Sequence, residues 1–365
     1  MASEVFWTDM RAKKGKNLVN KVASLWRKAG FKKAIDPGDL VAIKIHFGER
    51  GNLAYINPVF ARQVVELVKA GRAKPFLTDS NTLYVGSRAN AVDHLQTAIE
   101  NGFAYAVTGA PLIIADGLNG KDYYEVQVDG RHFRQVKISS AIYHADGMVV
   151  MSHFKGHELT GFGGTIKNLG MGCGSPGGKQ MMHSDVLPRV QEDKCIGCGR
   201  CRPWCPAGAI TVNDKASIDA GLCIGCGECT VTCPVRAIKA SFKSDPVALQ
   251  EKIVEFALGA VKGKKDKCVF FNFVTHVAPE CDCNSWNDAA IIPDVGILAS
   301  WDPVALDQAS FDLANAQPGL PGTRLDGHEG ARDKFLAISG YDGTPLLKYA
   351  EEIGLGTRQY ELVKV

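Results

Sequence analysis

Three features of the sequence predict an α/β body with a mainly parallel sheet, interrupted by a small cysteine-rich α+β module. Short β-branched apolar runs alternate with helically spaced apolar residues through residues 1–187, and strands alternating with helices build parallel sheets. The same alternation resumes through residues 244–365. Between them, residues 188–243 hold eight of the 12 cysteines, in two runs of one pattern. Residues 1–187 and 244–365 are then two parts of one body. The ends of the insert must lie close together for the body to tolerate it.

The body elements follow in order. A helix is predicted over residues 16–29, where Leu18, Val19, Val22, Leu25 and Trp26 share a face, and Gly30 ends it. Residues 40–47 (LVAIKIHF) read as a buried strand. Asn57-Pro58 opens a helix through residue 68, with Pro58 in its first turn. Residues 75–78 read as a strand, 92–102 as a helix, 110–115 as a strand, and 126–139 as a hairpin around Asp129-Gly130. Residues 147–152 (GMVVMS) make another strand. Beyond the insert, residues 247–258 read as a helix, 268–274 as an apolar strand and 294–300 as a strand. Asp302 caps a helix through Leu313, and a last helix lies near residues 348–353.

Bulk properties exclude several function classes. A chain of 365 residues with 45% apolar and 22% charged residues is an ordinary soluble composition. A net charge of +3 is too small to argue for nucleic acid or an anionic membrane. No run of about 18 apolar residues is present, so no membrane span is expected. Met1-Ala2-Ser3-Glu4 starts no apolar signal segment.

The cysteine runs are Cys195-x2-Cys198-x2-Cys201-x3-Cys205-Pro206 and Cys223-x2-Cys226-x2-Cys229-x3-Cys233-Pro234. This spacing is the bacterial run for [4Fe–4S] clusters, in which the fourth cysteine of each run ligates the other cluster. One cluster then takes Cys195, Cys198, Cys201 and Cys233. The other takes Cys223, Cys226, Cys229 and Cys205. Gly197, Gly199, Gly225 and Gly227 allow the close backbone approach such loops need. Zinc sites favour separate cysteine pairs rather than four cysteines per run, and disulfides need an oxidising compartment. Over about fifty residues the insert resembles the two-cluster bacterial ferredoxins. That resemblance implies a ferredoxin-like module exchanging single electrons with a redox partner protein, a ferredoxin or a reductase. Thiolate-held clusters without a secretion signal point to the cytoplasm of an organism living at low oxygen.

A second unusual stretch, residues 153–183, reads HFKGHELTGFGGTIKNLGMGCGSPGGKQMMH. Glycines crowd where backbone must approach something closely, and the histidines, lysines and Cys173 among them supply soft and hard ligands. His153 and His157 stand four apart. The glycines argue for a loop there, and the plain alternative is that both rings bond to local backbone. Gly161, Gly163, Gly164 and Lys167, followed by a helix, suit a nest for a cofactor phosphate or a substrate carboxylate. The pattern is not G-x4-G-K-[ST], so it is no P-loop. His46 ends a strand and precedes Gly48-Glu49-Arg50. Carboxyl ends of parallel strands face the ligand crevice, so His46 and Arg50 are expected to touch substrate or cofactor. Asp79, Ser80 and Asn81 carry the same expectation. Cys281-x-Cys283, with Cys173, Cys268 and His276, suits a further soft-metal site. The alternative is buried, inert thiols.

The segments HFKGHELTGFGGTIKNLGMGCG, CDCNSWNDAAIIPDVGILASWDPVALDQAS and VAIKIHFGERG resemble the domain-of-unknown-function 362 family. Many members carry a ferredoxin module, and the family implies no reaction. The arrangement His157-x5-Gly163-Gly164-x2-Lys167, with His183 further on, is similar to the glycine-rich region of nickel-pincer lactate racemases. That similarity implies a cofactor held covalently by Lys167, nickel bound by His183 and catalysis by His157.

The expected function is an iron–sulfur oxidoreductase. Its module passes single electrons to a cofactor, metal or small-molecule substrate site in the body, with two [4Fe–4S] clusters and an additional metal or nucleotide-like cofactor. Two alternatives stand beside it. One is an electron carrier or electron-transfer subunit without a catalytic site. The other is a pincer-like racemase or isomerase.

Overall fold

Strand polarity sets the architecture. The computed structural model describes residues 2–84, 86–183, 187–223, 225, 227–239, 245–264 and 266–365. Among the described residues, one sheet is built from β1 (Ser3–Thr8), β2 (Leu40–Ile45), β3 (Lys74–Asp79), β4 (Leu112–Ile114), β5 (Gly147–His153), β6 (Cys268–Val274), β7 (Gly296–Ser300) and β8 (Tyr360–Lys364). The spatial order is β8-β1-β7-β6-β5-β2-β3-β4. β7 is antiparallel to both β1 and β6. Every other adjacent pair is parallel, so the expected, mainly parallel sheet is present. The terminal strands β1 and β8, which pair with each other, had no counterpart in the sequence reading.

Alternation along the central strands sorts side chains onto two cores. Val41, Ile43, Ile45, Val149, Met151, Phe271 and Phe273 face one side, covered by helices α1 (Leu18–Lys28) and α2 (Pro58–Ala70). Ala42, Met148, Val150 and Phe270 face the other. There they meet α3 (Thr165–Cys173), α4 (Pro176–Met182), α5 (Pro246–Val261) and α6 (Pro303–Asn315). Burial on both faces explains why the strands read as continuous apolar runs. On the three central strands, buried polar side chains interrupt the second face: Lys44 on β2, Ser152 on β5 and Asn272 on β6. Buried polar groups need partners, and these partners build the site described below.

Two expectations change in detail. Residues 92–102 are not one α-helix: Ala91–Ala98 runs into a π turn, Ile99–Phe103, with Gly102 at φ +90°. The hairpin pairs Tyr123–Gln127 with Gln135–Ser139, and Asp129 takes φ +50° in the connection.

The insert enters and leaves the body side by side, because Arg189–Val190 pairs antiparallel with Ile238–Lys239. A second small pair joins Ile210–Val212 and Ala216–Ile218. Cys195, Cys201, Ile210, Ala216, Cys229, Ala237 and Ile238 form a separate small core. The expected limits at 187/188 and 243/244 adjoin residues 184–186 and 240–244, which lie outside the described residues. No helix among the described residues is long and apolar enough to cross a membrane.

Candidate functional site

β2, β3 and β5 run parallel, so their carboxyl ends meet at one edge of the sheet, where α/β folds place their ligand crevice. His46 follows β2, Asp79 ends β3 and His153 ends β5. The loop after β6 brings Cys281 and Cys283 to the same edge, and α3 and α4 bring Lys167, Lys179 and the following His183. Together they enclose a cleft of about 250 Å3.

A buried ionic frame holds the walls. Lys44 Nζ lies 2.9 Å from Asp79 Oδ1, and Arg88 Nη1 lies 3.2 Å from Asp79 Oδ2. Burial alone would raise the Asp79 pKa, but Lys44, His46 and Arg88 together hold it well below the usual carboxylate range. Lys44 also donates to Asn168 Oδ1 on α3 at 2.6 Å. On the other wall, Asp282 Oδ1 meets His153 Nδ1 at 2.9 Å, and Asp282 Oδ2 meets Lys155 Nζ at 3.2 Å. His153 Nε2 faces the Thr275 and His276 carbonyls, so both its ring nitrogens are engaged in holding the loop after β6.

The groups free to react lie between these walls. Lys167 Nζ sits 3.6 Å from Cys281 Sγ, and the Cys283 N–H donates to the same sulfur at 3.4 Å. The Cys283 thiol hydrogen bond, Lys167 and His157 hold the Cys281 pKa well below an ordinary thiol's, against the effect of burial. Cys283 moves the opposite way, raised by its hydrogen bond to Cys281 and by burial. Of the pair, Cys281 is the one biased toward thiolate and Cys283 the one biased toward thiol. His157 Nδ1 accepts from the Leu159 and Thr160 N–H groups at 3.2 Å each. The local bonding allowed for this histidine thus occurs, yet the ring still lines the cleft and meets Cys281. His46 Nδ1 accepts from the Gly48 N–H at 3.0 Å. Burial and Arg88 push its pKa down to about 3, so the neutral ring carries its proton on Nε2. Lys179 Nζ donates to Ser80 Oγ and to the Asn81 and Gly174 carbonyls. Burial pushes Lys179 down to about 8, and pushes its neighbour Asp116 up to about 7.

The glycine-rich loop does something other than expected. Asp307 of α6 accepts from Thr165 N at 2.7 Å and Ile166 N at 2.8 Å, so a side chain of the chain itself caps α3. Asp307 also accepts from Asn272 Nδ2 at 2.7 Å. Gly164 is the residue before the helix, and any side chain there would collide with the Asp307 carboxylate. Thr165 N and Ile166 N, two donors of the nest expected over Gly161, Gly163, Gly164 and Lys167, are taken by Asp307 and not left for a cofactor phosphate. Gly161 packs against the backbone of Tyr341 and Gly343. Arg50 is also corrected: it is exposed and pairs with Glu100 at 2.8 Å, outside the cleft. Arg88 supplies the guanidinium in the cleft instead.

His46, His157, Lys167, His183, Cys281 and Cys283 do converge in the cleft, as do Asp79 and Ser80. Lys44, Arg88, Lys155, Lys179 and Asp307 were not foreseen in these roles. A lone lysine in LVAIKIHF and a lone asparagine in CVFFNFV were the signals available, because a buried strand carries a polar residue only where a partner awaits it.

The module cysteines gather in two places. Cys195, Cys198, Cys201 and Cys233 line one small cavity. Cys205, Cys223 and Cys229 line a second, while Cys226 lies outside the described residues. The runs repeat at 28 residues, and the repeat extends to hydrogen bonding. Ala209 N donates to Cys205 Sγ, and Ala237 N to Cys233 Sγ, both at 3.2 Å. Ala216 N donates to Cys195 Sγ at 3.3 Å. Among the described residues, no three His, Cys, Asp or Glu side chains are gathered tightly enough to hold a single metal ion.

A family model described as a domain of unknown function, DUF362, matches residues 41–312. The chain belongs to this family. No curated protein matches the DUF362 chain in sequence. Among solved structures it is similar to the lactate racemase apoprotein from Thermoanaerobacterium thermosaccharolyticum, with a TM-score of 0.37 and 11% identity. That likeness covers 75% of this chain and 51% of the racemase chain. It is also similar to a structural-genomics protein from Thermotoga maritima, with a TM-score of 0.43 and 7% identity, covering 82% of this chain and 59% of the other. The DUF362 chain thus spans little more than half the length of either, and both likenesses are too distant to say what it does.

Proposed function

We propose that this protein is an iron–sulfur oxidoreductase in which single electrons pass through the cysteine module to a substrate or cofactor in the cleft of the body. One observation carries the reading. Gly227, in the wall of the second thiol cavity, packs against Gln180 of α4, while Lys179 and His183 from the same stretch line the cleft. A single short helix stands between thiol cavity and cleft.

The thiol sets fit a pair of cubane clusters. They match the two ligand sets implied by the spacing, Cys226 aside, and backbone N–H groups already donate to Cys195, Cys205 and Cys233; at Cys195 the Ala216 N–H holds the thiol pKa below its ordinary value. Clusters bound there would supply one-electron transfer, over potentials that span roughly −700 to +450 mV across proteins. Cys198 is exposed, so the first thiol cavity is the side on which a redox partner protein would dock. In the cleft, Lys167 keeps Cys281 charged, His157 exchanges a proton with its sulfur, and the neutral His46 offers an Nε2–H donor to a bound small molecule. Purification without oxygen should yield about eight irons and about eight sulfides per chain. Iron-free protein with native body structure would refute the reading.

Convergence of Lys167, His157 and His183 in one cleft also favours a second reading, a pincer-like racemase or isomerase of a hydroxy acid with a structural or regulatory module. Nickel bound to the purified chain, and lost from both Lys167→Ala and His183→Ala, would decide for it. Nickel-free protein from nickel-supplied cells would exclude it.

A further inference from the structure

A buried amide without a partner stands at the junction of module and body. Gln180 is fully buried, and among the described residues neither its Nε2 nor its Oε1 meets a hydrogen-bonding group. Native interiors rarely leave such groups unpaired. The polar neighbours are already committed. Tyr123 Oη and Lys137 Nζ both donate to Glu228, at 3.1 and 2.6 Å, and Lys179 Nζ is used by Ser80, Asn81 and Gly174. The Gln180 stem lies against Gly227, which holds φ +74° and leaves no room for a side chain. Gly227 follows Cys226 in the second run and lines the cavity of Cys205, Cys223 and Cys229. At the equivalent position in the first run, a Cβ added to Gly199 would meet nothing within 4 Å among the described residues. One thiol set therefore has a body side chain at its loop, and at the corresponding glycine the other has none.

We propose that Gln180 donates a hydrogen bond from Nε2 to a sulfur of the cluster held at Cys205, Cys223 and Cys229, and so raises that cluster's reduction potential above that of its twin. The inference rests on the iron–sulfur reading given above. Reduction adds negative charge to a cluster, and a donor aimed at its sulfur stabilises that charge. The asymmetry sets a direction. Electrons entering at the exposed Cys198 side run downhill to the cluster beside α4, and from there toward the cleft.

The test is a redox titration of the anaerobically purified full chain, followed by optical and paramagnetic spectra. The unaltered protein should hold about eight irons and reduce in two steps. Gln180→Leu and Gln180→Met should keep the iron, move one step to lower potential and leave the other in place. Two variants of different shape guard against a packing defect peculiar to one. If neither step moves, or both move together, Gln180 has no such role. If the unaltered chain lacks the iron, the iron–sulfur reading itself is what fails.

Discussion

Asp307→Ala tests the tie that holds α3 over the sheet. The carboxylate is fully buried and accepts from Thr165 N, Ile166 N and Asn272 Nδ2. Orphaning three buried donors costs about 1–3 kcal/mol each, so about 6 kcal/mol in all. Against this stands the cost of the charge itself. Burial raises the Asp307 pKa from 3.8 to about 6, although its three hydrogen bonds pull the other way. A rise of about two units at ~1.4 kcal/mol each is about 3 kcal/mol. The folded pKa is the raised one, so the stability linked to this proton is full below about pH 4 and is lost as pH rises through about 6. Removing the group should therefore cost about 5 kcal/mol near pH 4.5, where about 1 kcal/mol of the linked stability is already lost, but only about 3 kcal/mol near pH 7.5. Urea unfolding of both proteins at the two pH values, with unchanged m, measures the difference. A cost that grows with pH would refute the reasoning, because it would mean that the hydrogen bonds outweigh burial and lower the carboxyl pKa.

Further outcomes follow from the same geometry. Lys44→Met leaves Asp79 buried with Arg88 as its remaining cation, and should cost about 3 kcal/mol in urea unfolding, the low end for a broken buried pair. Gly164→Ala forces a methyl group onto the Asp307 carboxylate, and should lower thermal stability by about 1–3 kcal/mol, as overpacking does. Lys167→Met removes the ammonium beside Cys281. Alkylation of Cys281 at neutral pH should slow by about tenfold for each unit its pKa rises, with visible absorbance unchanged. An unchanged alkylation rate would show that Cys283 and His157 suffice to hold the thiolate.

Much of the scaffold was legible because its signals are local. The run CVFFNFV marked β6 at residues 268–274. Asp302 before Pro303 marked a cap that does accept from Val304 N and Ala305 N. The carboxyl-end rule brought His46, Asp79 and Ser80 to the cleft without any knowledge of the sheet order. Arg50 failed because its short loop turns outward to Glu100, and no local signal separates that outcome from the inward one taken by Arg88.

By itself, then, the sequence determined what lies within one turn or one strand: element types, caps, the two cysteine runs and the polar residues set in apolar strands. Tertiary structure decided what pairs across distance. Asp307 meets Thr165 across 142 positions, and Lys44 meets Asn168 across 124. Such partners are chosen by which buried donor is left unsatisfied once the sheet is assembled, and that deficit exists only in the folded chain. The glycine that invited a phosphate reading was instead the clearance for a carboxylate of the chain itself.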